Sequence, residues 1–206
     1  MDKEILINCL ITVSIITGLF IFYFYVYDGT ILVRSTLDSQ EYYVRNSSNS
    51  QLKANMLSLL NMKLNILVDS LSKEPNKTIP IERLIQNWNQ KVTLKEIGNM
   101  ETDAAYVINK KYMSFCLKAF NKEPVTLEHI NLFTYVGIHE LAHVMSIEVG
   151  HGDEFKINFK YLLDYSKYLK YTDPLLNKEI PLYIPLNTLK YTPKDYCGVS
   201  IINSIS

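Results

Sequence analysis

The chain has no surplus of charge: 21 lysines and arginines balance 21 aspartates and glutamates, for a formal net charge of zero over 206 residues. That balance argues against the dense positive surface on which a dedicated nucleic-acid binder depends, so no nucleic-acid partner is expected. Cysteine is scarce as well. Cys9, Cys116 and Cys197 are too few and too scattered for a disulfide scaffold or a four-thiolate metal site, which leaves a single Cys116 to Cys197 bridge as an open possibility. No internal repeat is present, and the length suits one moderate domain with an attached segment.

Charge is missing altogether from Ile5 to Tyr27, where the run "ILINCLITVSIITGLFIFYFYVY" lies between Glu4 and Asp28. About 20 apolar residues at about 1.5 Å each cross the roughly 30 Å hydrocarbon core of a bilayer. Phe22, Tyr23, Phe24, Tyr25 and Tyr27 cluster at one end of the run, where amphipathic rings favour the membrane-water boundary. A cleaved signal peptide calls for a basic leader, a shorter apolar stretch and small residues at the cleavage site, none of which stands out here. Residues 1–28 are therefore expected to form a single-pass transmembrane anchor, embedded through residues 5–27. Lys3 on one side against Arg34 on the other, with acids on both, leaves its orientation undetermined. The triplets Asn46-Ser47-Ser48 and Asn76-Lys77-Thr78 match the glycosylation acceptor pattern, which matters only for a lumenal domain.

Residues 29–50, with "RNSSNSQ" beginning at Arg45, read as a polar, flexible tether. From residue 51 to 206 the pattern is that of a folded α+β domain with a loop-rich tail. Leu52, Met56, Leu59, Leu60, Leu64, Leu67 and Leu71 recur at three and four residues and predict an amphipathic helix that stops before Pro75. A second helix is expected after Pro80, with Ile81, Leu84, Ile85 and Trp88 on its apolar side. The runs "VTLKEI", "AAYVIN" and "YMSFCL" read as strands of a small, mainly antiparallel sheet, the last two joined by a tight hairpin at "NKKY". A long helix is expected from the N-cap Thr126 to Gly150, and another from about Asp153 to Leu169 with Phe155, Phe159 and Leu162 on one stripe. Prolines at 174, 181, 185 and 193 then suggest an extended tail.

The long helix carries "GIHELAHVMSIEVGHGDEF". Each helical residue advances about 100°, so with His139 at zero, His143 falls at about 40° and Glu140 at about 100°, all on one side. Ile130, Ile138, Leu141 and Met145 form a stripe roughly 80° wide on the opposite wall, suited to a core. Two histidines one turn apart can aim their nitrogens at one ion, and a catalytic zinc site keeps three protein ligands with one open position. A glutamate beside the first histidine cannot easily reach that ion but can reach a water at the open position, the geometry of a general base. The third ligand must lie beyond the helix. His151 is favoured because Gly150 supplies a flexible exit and Gly152 relaxes the backbone after it, while Glu154 and Asp164 are the rival donors. Glu148, about 180° from His139 on a continuous helix, should point away. His129, about 15 Å up the same helix, is too distant to share the ion. Glu123, Glu128, Asp153 and Glu154 read as charges that favour helix N-termini, with orientation of a ligand imidazole as the alternative for Asp153 and Glu154.

With these residues in place, "HELAHVMSIEVGHGDEF" resembles the active-site region of zincin metallopeptidases. It is most similar to the minimal zincins of the WLM and SprT-like type and to short putative peptidases encoded by large DNA viruses. There, an antiparallel strand pair comparable to "AAYVINKKYMSFCL" precedes the zinc helix, and a histidine before an x-E-F helix start completes the site. The tail "YTPKDYCGVSI" is also similar to an ending of the viral proteins. The resemblance covers roughly residues 100 to 170 and implies Zn2+ held by His139, His143 and His151, Glu140 as catalytic base, and a peptide or protein substrate. His151 follows His143 by eight positions, which separates this chain from metzincins. The anchor and the zero net charge set it apart from the DNA-associated members. The expectation is thus a membrane-anchored zinc metallopeptidase of a host or virion membrane, with a sheet edge aligning substrate as an added strand. The alternative is a non-catalytic membrane or virion component that keeps a structural zinc site, for which Glu140 would have no use.

Overall fold

The chain begins with α1 (Lys3–Val26), every described side chain of which is exposed. A helix this long and apolar can cross a membrane, a property it shares with signal sequences, and it is not buried against the rest of the chain. The hydroxyl of Thr12 donates to the Asn8 carbonyl (2.8 Å), so this polar group is satisfied within the helix. The structure, a computed structural model, describes residues 3–26, 29–99, 101–121, 124–175, 177–189 and 195–200. Tyr27, Asp28, Glu123 and the 191–194 and 201 positions of the tail motif lie outside the described residues, as do the side chains of Phe22, Phe24 and Tyr25.

Four small sheets and four further α-helices follow among the described residues, an α+β arrangement. The expected tether is instead a β-hairpin: β1 (Thr30–Arg34) and β2 (Glu41–Arg45) pair antiparallel, with Leu32 opposite Tyr43. The physical reason is the two-residue period of "YYV", which sends Tyr42 and Val44 into the core at 4% and 0% exposure. Asp38 shapes the turn by accepting from the Gln40 amide (3.0 Å) and the Tyr42 hydroxyl (2.6 Å). A buried charge cluster fastens the hairpin. Glu96 accepts from the Lys53 ammonium (2.8 Å) and the Arg45 amide (2.6 Å), while the Arg45 guanidinium donates to the Ile97 and Gly98 carbonyls. Each charge is thus hydrogen-bonded where it is taken out of water.

α2 (Ser50–Ser72) is the central helix, buried along the leucine stripe read from the sequence. α3 (Ile79–Trp88) starts with Pro80 in its first turn and packs on α2 and on α4 (Leu127–Met145). Where α2 meets α4, a Cβ on Gly137 would stand 2.4 Å from Leu60 Cδ1, so glycine permits the close approach of the two helices. β3 (Thr93–Glu96), β4 (Ala105–Ile108) and β5 (Tyr112–Phe115) form a mixed sheet in the order β3-β5-β4, with β3 parallel and β4 antiparallel to β5. Asn109 and Lys110, both at positive φ, make the expected tight turn between β4 and β5.

α5 (Asp153–Ser166) ends three residues before the expected Leu169. The expected loop-rich tail contains a hairpin of β6 (Lys170–Asp173) and β7 (Lys178–Pro181), and a short one of β8 (Asp195–Tyr196) and β9 (Val199–Ser200). Asn131 on α4 exchanges two hydrogen bonds with the Ile184 backbone, at 2.7 and 2.8 Å, which fixes the chain after β7. The bridge left open by the sequence is formed: Cys116, just after β5, is disulfide-bonded to Cys197 across 81 positions. Tyr196 beside it is buried and donates to the Cys116 carbonyl (2.6 Å).

Candidate metal centre

α4 begins at the N-cap Thr126, whose hydroxyl accepts from the His129 amide (3.4 Å) while His129 Nδ1 accepts from the Thr126 amide (3.5 Å). His129 is therefore engaged in a capping box at the far end of the helix from the other histidines. The helix stops at Met145, five residues short of the expected Gly150. The last carbonyls, which another turn would satisfy, are taken from outside: Val144 by Asn87 (3.0 Å) and Met145 by Arg83 (2.7 Å). The Ser146 hydroxyl donates to the Ala142 carbonyl (2.8 Å), and the Ser146 backbone is already extended. The loop that follows turns at Gly150, where φ is +93°, and brings His151 back toward the helix. Because α4 ends early, Glu148 does not point away as expected but joins the lining of the cleft.

His139, His143 and His151 meet. Their ring centroids are 5.2, 4.9 and 5.0 Å apart, a nearly equilateral triangle. His139 Nε2 and His151 Nε2 are 3.0 Å apart, and one ring nitrogen from each of the three lies within 4.8 Å of the others. Two nitrogens on one tetrahedral zinc stand about 3.3 Å apart at bond lengths of about 2.0–2.1 Å, so small side-chain adjustments fit the trio to one ion. Phe155 lies against all three rings, stacked on His143 at 4.3 Å and edge-on to His151 (4.7 Å) and His139 (4.9 Å). This apolar ring covers one side of the imidazole cluster. Burial, followed by the neighbouring imidazoles, brings His139 down to about 3; burial, His151 and Lys110 bring His143 down to about 4. Both rings are thereby kept in the neutral form that ligates metal.

Glu140 is buried at 3% exposure, and its Oε2 has no hydrogen-bond partner. Burial pushes its carboxyl up to about 8. A buried, unsatisfied carboxyl oxygen costs free energy unless a ligand or reaction uses it. Glu140 and the three histidines line one cleft of about 490 Å³, bordered by β4 on one side and the 148–151 backbone on the other. β4 is an edge strand, and among the described residues no strand pairs with its outer side. Tyr106 on that strand lines the cleft, and its hydroxyl donates to Glu101 (2.6 Å).

The rival donors are placed elsewhere. Asp164 pairs with Lys160 (3.8 Å) on α5 and with Lys167 (2.5 Å) just past its end, and Asp153, expected as a helix N-terminal charge, pairs with Lys156 (3.5 Å). Glu154 meets Arg83 (2.7 Å) and accepts from the Ile147 and Glu148 amides, so it does more than favour a helix N-terminus. The sequence reading missed three residues of this neighbourhood: Arg83, Asn87 and Lys110, whose ammonium donates to the Ser146 carbonyl. Only "NKKY" at the hairpin turn carried a local signal for Lys110, and Arg83 and Asn87 stand more than 50 positions from their partners.

No family model matches the chain, and no solved structure matches it. It is 27% identical over 210 residues to the uncharacterized protein R325 of Acanthamoeba polyphaga mimivirus, covering 98% of this chain and 97% of that protein. It is also 33% identical over 86 residues to the uncharacterized protein 136R of Invertebrate iridescent virus 6, covering 42% of this chain and 48% of the relative. A match of 33% over 75 residues joins it to the uncharacterized protein 042R of Invertebrate iridescent virus 3, covering 36% and 46%. The chain is thus similar along its whole length to one viral protein, and over part of it to two others.

Proposed function

We propose that the chain is a membrane-anchored, zinc-dependent peptidase with a minimal zincin-like catalytic domain. The observation that carries this reading is the convergence of His139, His143 and His151 beside the buried, unpartnered Oε2 of Glu140. His139, His143 and His151 would hold the zinc ion, which when bound would supply Lewis acidity for the scissile carbonyl and the attacking water. The chain's own residues do the rest. Glu140 accepts the proton of the water at its carboxylate and passes it to the departing amine nitrogen, and a nearby cation favours the anionic form that this requires. The outer edge of β4 offers unpaired backbone groups along which an extended peptide pairs as an added strand. Phe155 and Phe159 keep water from the side of the imidazoles away from the cleft. α1 anchors the domain in a bilayer, and the viral relatives support a viral setting.

The test uses the full chain in lipid nanodiscs, with zinc content measured and cleavage of a proteome-derived peptide mixture followed by the appearance of new amino termini. Glu140→Gln is expected to retain zinc and lose cleavage by roughly 10²–10⁴-fold, the range of general-base contributions. Zinc bound with no cleavage by either protein supports the structural zinc component instead. Equal cleavage by both removes Glu140 as the base.

A further inference from the structure

The loop that delivers His151 makes few attachments of its own. Ile147 and Val149 are 67% and 103% exposed, and an added Cβ at Gly150 would meet nothing within 4 Å. Ser146 at its start is held by the Lys110 ammonium on its carbonyl and by Asn158, which donates to its hydroxyl (2.9 Å), and beyond these contacts the two ends of the loop meet at one ion pair. Arg83 Nη1, from α3, donates to the Met145 carbonyl that ends α4 (2.7 Å) and to Glu154 Oε1 in the first turn of α5 (2.7 Å). Glu154 Oε2 accepts from the first loop amides, Ile147 (2.8 Å) and Glu148 (3.4 Å). His151 lies between these anchors, three positions before Glu154 and four before the Phe155 ring that backs the imidazoles.

We infer, on the zinc-peptidase reading above, that Arg83 and Glu154 are positioning residues for the third metal ligand. Neither touches the ion or the substrate. Together they set the span of the 146–152 loop, and so the point at which the His151 ring meets the other two. An ion pair shared with three backbone groups has a defined geometry, whereas a loop exposed along its middle does not define one alone. A role confined to capping would be shared by Asn87, which binds the Val144 carbonyl one residue earlier but, among the described residues, makes no hydrogen bond to the loop or α5.

The experiment measures zinc affinity of the full chain in nanodiscs by competition with a chromogenic chelator, together with the visible absorption of the Co(II)-substituted protein. Arg83→Met and Glu154→Ala are expected to weaken zinc binding about 10- to 100-fold, as losing an outer-shell partner does, and to shift the Co(II) bands toward those of His151→Ala. Asn87→Ala is expected to lower thermal stability without moving the Co(II) spectrum. Should Arg83→Met fail to fold, Glu154→Gln removes only the ion pair and retains an amide-accepting oxygen, with a smaller shift in the same direction. Wild-type affinity and an unmoved spectrum in the Arg83 and Glu154 variants overturn the inference while leaving the metal site intact. An Asn87 variant that shifts the spectrum as far as they do overturns it too, because the effect is then general loosening of α4. If wild-type protein binds no zinc, or binds it equally well after His139→Ala, the peptidase reading itself falls and takes this inference with it.

Discussion

Lys63, on α2, is enclosed in the core at 1% exposure, its ammonium donating to Thr134 Oγ1 (2.7 Å) and lying 4.7 Å from the centre of the Tyr171 ring. Burial lowers its pKa to about 7, with the Asp173 carboxylate opposing the shift. In the unfolded chain a lysine titrates near about 10.4, so between about 7 and 10 the unfolded state binds the extra proton. Folding stability attributable to Lys63 therefore rises with pH across that window and is flat below it. Urea unfolding from pH 6 to 10 is expected to show this rise in the native chain and its loss in Lys63→Met. Equal slopes would mean that the lysine keeps its charge inside. The candidate metal site was far more legible at this scale than Lys63. His139, Glu140 and His143 sit within about one helical turn, so local geometry alone puts them on one side, and the glycines around His151 announced a return of the chain. Lys63 lies inside the leucine stripe with no local signal of its own, and its partners Thr134 and Tyr171 come from 71 and 108 positions further on.

At the scale of elements, the helices were readable because each carries its own periodicity, with Pro80 and Thr126 marking starts through local chemistry. The β1–β2 hairpin was not. Its polar turn and exposed Glu41 and Tyr43 hide a strand whose buried positions, Tyr42 and Val44, are only two residues. The end of α4 was misplaced for a different reason: Arg83 and Asn87, remote in sequence, satisfy the carbonyls that would otherwise extend it. The hairpin makes a prediction. A chain starting at residue 29 retains the complete core, while one starting at residue 50 loses Tyr42 and Val44 and leaves Glu96 with fewer partners. Losing those two side chains alone costs about 3–6 kcal/mol at about 1.5–3 kcal/mol each. Comparing denaturation midpoints of the two truncations reads this directly, and equal midpoints would show the hairpin to be dispensable. The Cys116–Cys197 bridge closes a long loop, and the double substitution Cys116→Ser/Cys197→Ser is expected to lower unfolding free energy by about 2–5 kcal/mol. Unfolding with and without a dithiol reductant checks it, since only the native chain should respond.

On the scale of the whole molecule, the edge strand β4, the end of α4 and the 148–151 loop frame one cleft, and Phe155 from the first turn of α5 backs its histidines. α2 and α3 support them from behind, and the disulfide ties the 195–200 segment to the end of β5. A disulfide persists on the oxidising side of a membrane, which gives the domain a preferred side if α1 spans one. Such an arrangement was readable as a list of elements and hidden as an assembly, because what joins the parts is ion pairs and side-chain-to-backbone bonds without a repeating pattern. Whether three imidazoles bind one ion in this cleft can be read from zinc X-ray absorption on the full chain. Three imidazole nitrogens at about 2.0–2.1 Å with one further light atom are expected, falling to two imidazoles in His151→Ala. Zinc absent from the native protein, or a shell unchanged by loss of His151, would contradict the three-imidazole site.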